Sequence, residues 1–268
     1  NQMAIYSADG NKLRLLNANF GSAMPSCLPT AVGDKFVVGL NNGQLALINP
    51  TNGTVVGTPY QPTMAPGRKV NWSRPWYQAE SQTLFASSDL LKLAKLSVGN
   101  GLRLLNDVDL QYPLKGPIVA LGNQIGGVQS APTTDSFKVF NANDLSETGA
   151  MELDSRLVAG PFTTPTGCIL QTERKLVAIA ANGSKAWETE FGGGELLSPP
   201  VVAGDNWLAV TKAGDALVID PASGALVGNV NVGQGLSSTP QVVGSSMLVG
   251  SDEGAVLALP IPTSTEAL

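Results

Sequence analysis

Short apolar segments separated by turns rich in Gly, Asn, Asp and Pro recur along the whole chain. Segments such as QLALI, ALVID and VLALP are apolar on both faces or alternate with small residues. This pattern is typical of short strands stacked between neighbouring sheets. The 268 residues include 30 Gly and 18 Pro, which indicates many tight turns. The pattern therefore predicts an all-β protein.

A repeat organises these strands. Segments that begin at Cys27, Ser198 and Ser238 share one order: a Pro, a short apolar run, a turn, a second apolar strand, a polar turn and an alternating third strand. Weaker copies complete a series of anchor prolines at Pro29, Pro75, Pro117, Pro161, Pro200 and Pro240. Successive anchors lie 39 to 46 residues apart, which is the period of a four-stranded propeller blade. We expect each anchor to open the innermost strand, where no ladder donor is lost.

The repeat predicts one β-propeller domain, residues 1–268, made of four-stranded antiparallel blades. The N-terminal MAIYSADGNKLRLLNANFG matches the two middle strands of a blade, and the last unit has three strands and a short tail. Six anchored units and this N-terminal piece give seven blades, with six or eight as alternatives. A ring of sheets buries faces that a single sheet leaves open. The chain opens at Asn1 directly on strand-like sequence, as expected for part of a longer chain.

Composition excludes several classes of function. The net charge of −5 argues against a nucleic-acid binder, which usually needs a basic face. The absence of His removes Ser-His-Asp and Cys-His sites together with the commonest metal ligand. No apolar stretch is long enough for a transmembrane helix. The two cysteines, Cys27 and Cys168, fall in distant blades, so we expect two free, buried thiols and no disulfide.

Two segments, GQLALINPTNG (Gly43 to Gly53) and GDALVIDPASG (Gly214 to Gly224), resemble the PQQ-like, or quinoprotein-type, β-propeller repeat. Trp187, which follows the turn residue Gly183, resembles the tryptophan that this repeat often carries. The resemblance implies a propeller over essentially the whole chain. One non-enzymatic branch of the family is the lipoprotein of the bacterial outer-membrane β-barrel assembly machinery, a scaffold that binds partner proteins. Similarity to that branch implies an extracytoplasmic protein in the periplasm or cell envelope.

The chain departs from the quinone-dependent enzymes of this family. Those enzymes use adjacent cysteines over the cofactor, a Ca²⁺ ion and an Asp base, whereas Cys27 and Cys168 are far apart in this sequence. The repeat tryptophan occurs once rather than in most blades. These departures argue against PQQ binding and against quinoprotein catalysis. We therefore expect no cofactor and no resident metal.

The stretch GRKVNWSRPWYQ, residues 67–78, concentrates basic and aromatic residues in a chain of low charge. It lies in the longest connection, the 22 residues from Gly53 to Pro75. Family geometry places such connections and the turns between second and third strands on one face, around the central funnel. Arginine with aromatic residues is typical of protein-interface hot spots. The hypothesis is a non-catalytic scaffold that binds a partner protein through Arg68, Lys69, Trp72, Arg74, Trp76 and Lys115.

Two alternatives remain open at this point. The tryptophans of this stretch could pack on a neighbouring blade while the charges are solvated. Alternatively, the funnel could hold an enzyme or ligand site for a carbohydrate or a quinone-like anion. Carboxylates for such a site would come from the turns that face the funnel, namely Asp89, Asp135, Asp215 and Asp252.

Overall fold

The computed structural model describes the backbone of residues 2–6 and 13–17 and the backbone and side chains of residues 20–263. Its described part contains 24 strands in seven antiparallel sheets and no helix, so the all-β prediction is confirmed. No helix among these residues is long and apolar enough to cross a membrane. The chain divides into two compact units. The first unit is residues 1–118 with 142–146, and the second is residues 119–141 with 147–268.

The first unit begins with two small sheets. Strands β1 (Gln2–Tyr6) and β2 (Leu13–Asn17) form an antiparallel hairpin, as the repeat predicts for this segment. Strands β3 (Thr30–Val32), β4 (Lys35–Gly39) and β5 (Leu45–Ile48) form a three-stranded sheet.

Four sheets are complete meanders in which each strand pairs with the next one along the chain. Two of them consist of β6 (Trp76–Gln78), β7 (Thr83–Ser88), β8 (Lys92–Val98) and β9 (Leu102–Asp109), and of β10 (Leu114–Leu121), β11 (Gln124–Ser130), β12 (Asp135–Asn141) and β13 (Glu147–Glu152). The other two consist of β14 (Leu157–Thr164), β15 (Gly167–Thr172), β16 (Lys175–Ala180) and β17 (Lys185–Glu190), and of β18 (Val201–Ala203), β19 (Asn206–Val210), β20 (Asp215–Ile219) and β21 (Leu226–Asn231).

The last sheet has three strands, β22 (Gln241–Val243), β23 (Ser246–Gly250) and β24 (Val256–Pro260), as predicted. The number of blades and the single-domain assignment stay predictions.

Burial follows the position of a strand within its sheet. The second strands β7 and β15 are buried along their whole length, whereas the fourth strands β13 and β17 are mostly exposed. Within the second unit, successive sheets pack face to face, with Val128 and Phe137 against Leu170 in one layer. Full burial of such a side chain contributes about 1.5–3 kcal/mol. Because the central strands are covered on both faces, they read as continuous apolar runs.

The structure corrects two expectations about the repeat. Pro117 and Pro161 lie inside β10 and β14 rather than at their first residues. Both strands are sheet edges, where a missing N–H costs no ladder bond. The long connection after Gly53 is also shorter than predicted, because residues 54–60 return along β5. Val56 N–H donates to Leu47 O at 2.7 Å, and Tyr60 N–H donates to Leu45 O at 3.0 Å.

Candidate functional site

Residues 61–71, here called the basic loop, join two turns of the first unit. Val70 N–H donates to Asn41 O at 2.8 Å, in the turn between β4 and β5. Asn71 N–H donates to Asp89 Oδ1 at 3.1 Å, in the turn between β7 and β8. The connection and both turns therefore meet at one end of the first unit.

Buried residues hold the basic loop to the strands beneath it. Val70 is fully buried, and Pro62 is buried at the start of the loop. Pro62 and Pro66 fix two φ angles, which reduces the entropy lost when the loop is ordered. Arg68, although exposed, donates from Nη2 to Asp89 O at 2.9 Å. The loop therefore presents its charged residues from a largely preset backbone.

The two predicted tryptophans do not face solvent freely. Trp72 is 6% exposed, and its ring meets Tyr60 edge-on with centroids 6.5 Å apart. Trp76 is half-buried and stacks on Phe85, with centroids 5.5 Å apart. Trp72 thus belongs to the core that supports the basic loop, whereas Trp76 exposes part of its ring.

The four predicted cations, Arg68, Lys69, Arg74 and Lys115, are exposed. Backbone pairing places Arg74 next to the segment that carries Lys115. Ile118 N–H donates to Arg74 O at 3.4 Å, and Ser73 Oγ donates to Leu114 O at 2.9 Å. These hydrogen bonds bring the backbone at Arg74 next to β10, the strand that carries Lys115. The basic loop, with Arg68 and Lys69, is held against the turns between β4 and β5 and between β7 and β8.

The arginines and Lys69 of this surface form no ion pair with the described carboxylates. Lys92 of the same unit shows the contrast. Its Nζ lies 2.7 Å from Asp107 and 2.9 Å from Asp109, and hydrogen bonds to these carboxylates raise the pKa of Lys92. A surface with unpaired cations on an acidic protein is suited to an anionic partner.

A groove of about 690 Å³ runs between the basic loop and the neighbouring turn. Its walls include Asn41, Asn42 and Gln61, and Arg68 and Lys69 line one end. Among the described residues that line this groove there is no carboxylate. Amide and guanidinium donors at its walls can hydrogen-bond main-chain carbonyls or carboxylates of an extended segment.

Sequence reasoning missed two exposed apolar residues in the same unit, Met24 and Leu28. They expose 57% and 68% of their surface, and Met24 N–H donates to Asn41 Oδ1 at 3.0 Å. The repeat could have indicated the exposure of Leu28, because Leu28 directly precedes the anchor Pro29 just as Arg74 directly precedes the anchor Pro75. The position before an anchor proline is therefore exposed in both repeats.

Two of the predicted turn carboxylates, Asp135 and Asp215, are buried and hydrogen-bonded at their own turns. Asp135 is fully buried, accepting from Ser130 Oγ, Arg156 Nη1 and Leu157 N–H. Asp215 is 6% exposed and accepts from Thr211 Oγ1 and Asn231 Nδ2. Both carboxylates therefore stabilise their own turns and are closed to solvent.

Asp89 accepts from Asn71, and Asp252 is exposed. Within residues 20–263, no group of three His, Cys, Asp or Glu could hold a metal ion.

Both cysteines are free thiols, but their burial differs from the prediction. Cys168 is fully buried, and burial raises the pKa of its thiol. Cys27 is only half-buried. Burial also raises the Cys27 pKa, while a hydrogen bond with Gly39 and the charge of Arg74 oppose that shift.

A family model described as "Outer membrane protein assembly factor BamB" matches residues 172–266. The curated factor of that name from Moranella endobia (strain PCIT) is 31% identical over 157 residues, or 48% of this chain. The chain spans 40% of the length of that relative.

Two solved structures extend the comparison to nearly the whole chain. BamB from Moraxella catarrhalis has a TM-score of 0.66 and 16% identity, covering 97% of this chain and 78% of that one. The C-terminal WD40 domain of Sif2 has a TM-score of 0.68 and 15% identity, covering 98% of this chain and 78% of that one. The propeller fold and the resemblance to the PQQ-like repeat, in its BamB branch, are confirmed. The predicted extracytoplasmic location agrees with relatives named for the outer membrane.

Proposed function

We propose that this BamB-like propeller is a non-catalytic scaffold of the periplasm or cell envelope that binds a partner protein through its first unit. The partner surface comprises the basic loop with Arg68 and Lys69, the adjoining Arg74 and Lys115, and the exposed part of Trp76. Trp72 supports this surface from the core. The relatives are named as assembly factors, which agrees with a role in assembly rather than in chemistry.

One observation carries the proposal: Arg68 and Lys69 on the well-anchored basic loop, and the adjoining Arg74, are exposed and form no ion pair with the described carboxylates. Elsewhere in the protein, Lys92, Lys138, Lys175 and Lys212 each bind an acidic side chain. An arginine that is not already paired can bind a carboxylate of a partner in a bidentate manner. The expected partner therefore presents Asp or Glu side chains to the basic loop.

The absence of catalytic function is proposed on two grounds. The sequence has no His. The carboxylates of Asp135 and Asp215 already accept hydrogen bonds from residues in or next to their own turns. A general base or nucleophile needs a carboxylate that can reach a substrate. No observation favours the alternative of a funnel enzyme.

Site-specific cross-linking in the cell envelope tests this proposal. A photo-reactive residue at position 69 should cross-link one defined partner, which mass spectrometry identifies. In the Arg68→Glu/Arg74→Glu variant, the yield should fall at least fivefold because the reversed charges repel the partner's carboxylates. Arg103→Glu/Lys185→Glu is the matched control, since these cations follow turns between third and fourth strands.

Equal yields from the two double variants would refute the proposal, provided that both keep the wild-type circular dichroism. A probe at position 69 that captures nothing in wild type would refute it as well.

A further inference from the structure

The groove beside the basic loop is built from three segments of the first unit that meet at Asn41. It is lined by residues 22–23, 41–42 and 61–69. Asn41 N–H donates to Met24 O at 2.8 Å, and Asn41 Oδ1 accepts from Met24 N–H at 3.0 Å. Asn41 O also accepts from Val70 N–H at 2.8 Å. The three segments are therefore joined before any ligand binds, which lowers the entropy cost of binding.

The main chain of the basic loop supplies donors for a ligand. Thr63, Met64, Gly67 and Lys69 all line the groove. Within the part of the chain that the structure describes, the main-chain N–H groups of these residues have no hydrogen-bond partner. Such groups bind water when they are exposed, and carbonyl oxygens of a bound segment can replace that water.

The side chains of the lining combine an apolar region with a cationic one. Met64 is half-buried, and its Sδ accepts from Gln61 Nε2 at 3.2 Å. The flexible side chain of a methionine adapts to different apolar partners. Arg68 and Lys69 are exposed at one end of the groove and form no ion pair with the described carboxylates.

The size and the lining of the groove favour a short peptide segment over other ligands. Its volume of about 690 Å³ lies within the range of about 300–1,000 Å³ that is typical of sites for drug-sized molecules, so a few residues fit and a folded domain does not. None of the described lining residues is aromatic, so a nucleobase would find no ring on which to stack. The two cations complement a segment that carries carboxylates.

We propose that this groove binds a short extended segment of the partner protein that combines Asp or Glu with an aliphatic residue. The carboxylates of the segment bond Arg68 and Lys69, and the aliphatic side chain packs on Met64. Main-chain carbonyls of the segment accept from the N–H groups of the basic loop. The inference rests on the proposed function and specifies which part of the partner is recognised.

Selection from a random dodecapeptide library displayed on phage tests the proposal, with the protein isolated from its own cell envelope as the target. The enriched peptides should share Asp or Glu close to an aliphatic residue. A labelled copy of the most enriched peptide is then titrated by fluorescence anisotropy. Thr63→Trp fills the groove, keeps both cations and should weaken binding at least about tenfold. Thr133→Trp is the matched control, since Thr133 is exposed in the turn between β11 and β12, and its binding should stay within about twofold of wild type.

Enriched peptides without acidic residues would overturn the proposal, and so would equal binding by wild type and a folded Thr63→Trp variant. No enrichment would overturn it too, because a groove that another part of this chain already fills would select no peptide. If Thr63→Trp does not fold, Ser22→Trp fills the groove from another lining segment.

The cross-link from position 69 separates this inference from the proposed function. Its yield should fall in Thr63→Trp and in Arg68→Glu/Arg74→Glu alike. A cross-link that survives Thr63→Trp but not the charge reversal would leave the proposed function standing and overturn the groove as the binding site.

Discussion

Asp135 shows how one buried carboxylate depends on its partners. Burial opposes ionisation of Asp135, but the Leu157 N–H, Arg156 and Ser130 outweigh it and lower the pKa of this carboxyl. A carboxylate with a lowered pKa in the folded state stabilises the protein above its unfolded pKa of about 3.9. That contribution is lost as the pH falls through the folded-state pKa.

Asp135→Asn should lower the free energy of unfolding by about 2 kcal/mol at pH 7, because hydrogen bonds to a charged group are lost. The difference from wild type should shrink at pH 3 and below, where the wild-type carboxyl takes up its proton. Urea titrations at both pH values measure this. Asp34→Asn is the control, since Asp34 pairs with Lys35 at an exposed site and its loss should change little. A pH-independent difference would contradict this account.

The two thiols should react at different rates. Cys27 is half-buried, whereas Cys168 is fully buried in the second unit. Because both thiol pKa values are raised, neither should react quickly at pH 7. Titration of the native protein with a thiol reagent should modify Cys27 first, and Cys168 only on unfolding. Simultaneous modification of both would show that the core around Cys168 opens as readily as the surface.

At the level of elements, Trp187 of β17 links its sheet to the next one. Its Nε1 donates to Pro221 O at 2.9 Å, and the ring lies against Gly224 in the turn before β21. A Cβ at Gly224 would lie 2.3 Å from the ring. The glycine of the GDALVIDPASG segment therefore serves both the positive φ of the turn and the close approach of the tryptophan.

Gly224→Ala and Gly204→Ala separate these two effects. Both glycines have positive φ, but a Cβ at Gly204 would meet no atom within 4 Å. Gly204→Ala should cost about 1 kcal/mol from backbone strain alone. Gly224→Ala should cost an additional 1–3 kcal/mol or so, because the ring of Trp187 must move. Urea unfolding of both variants measures the two losses in the free energy of unfolding. Equal losses would show that the contact between Gly224 and Trp187 does not matter for stability.

At the scale of the whole molecule, the net charge of −5 and the basic surface have opposite signs. Long-range repulsion should slow the approach of an acidic partner, while the unpaired cations attract it locally. Near physiological salt, both the repulsion and the attraction are screened beyond about 8–10 Å. The balance depends on how closely the partner's carboxylates approach Arg68 and Arg74.

Once a partner is identified, its affinity for wild type should fall about three- to tenfold between 50 and 300 mM NaCl, because contact pairs at an exposed surface are screened. Arg68→Glu/Arg74→Glu should remove most of this salt dependence. Arg103→Glu/Lys185→Glu should retain it. Surface plasmon resonance at several salt concentrations provides the measurement, and a wild-type affinity independent of salt would argue for an apolar interface.

The sequence by itself determined the class of fold and the position of most strands. Period-two and continuous apolar runs, turn glycines and anchor prolines repeat every 39 to 46 residues, and each is a local property of the chain. The last sheet of three strands and the hairpin of the first residues could be predicted for the same reason. The sequence also singled out Arg68, Lys69, Arg74 and Lys115 as candidate site residues, but only the structure decided that they are exposed.

Only the tertiary structure decided which side chains are covered. Trp72 and Trp76 lie in the same stretch of sequence. Trp72 nevertheless packs in the core beside Tyr60, whereas Trp76 is half-buried and stacks on Phe85. Asp135 and Asp252 occupy equivalent turn regions, but only Asp135 meets an arginine from a following strand connection. Such contacts join residues distant in the chain, so no local pattern encodes them.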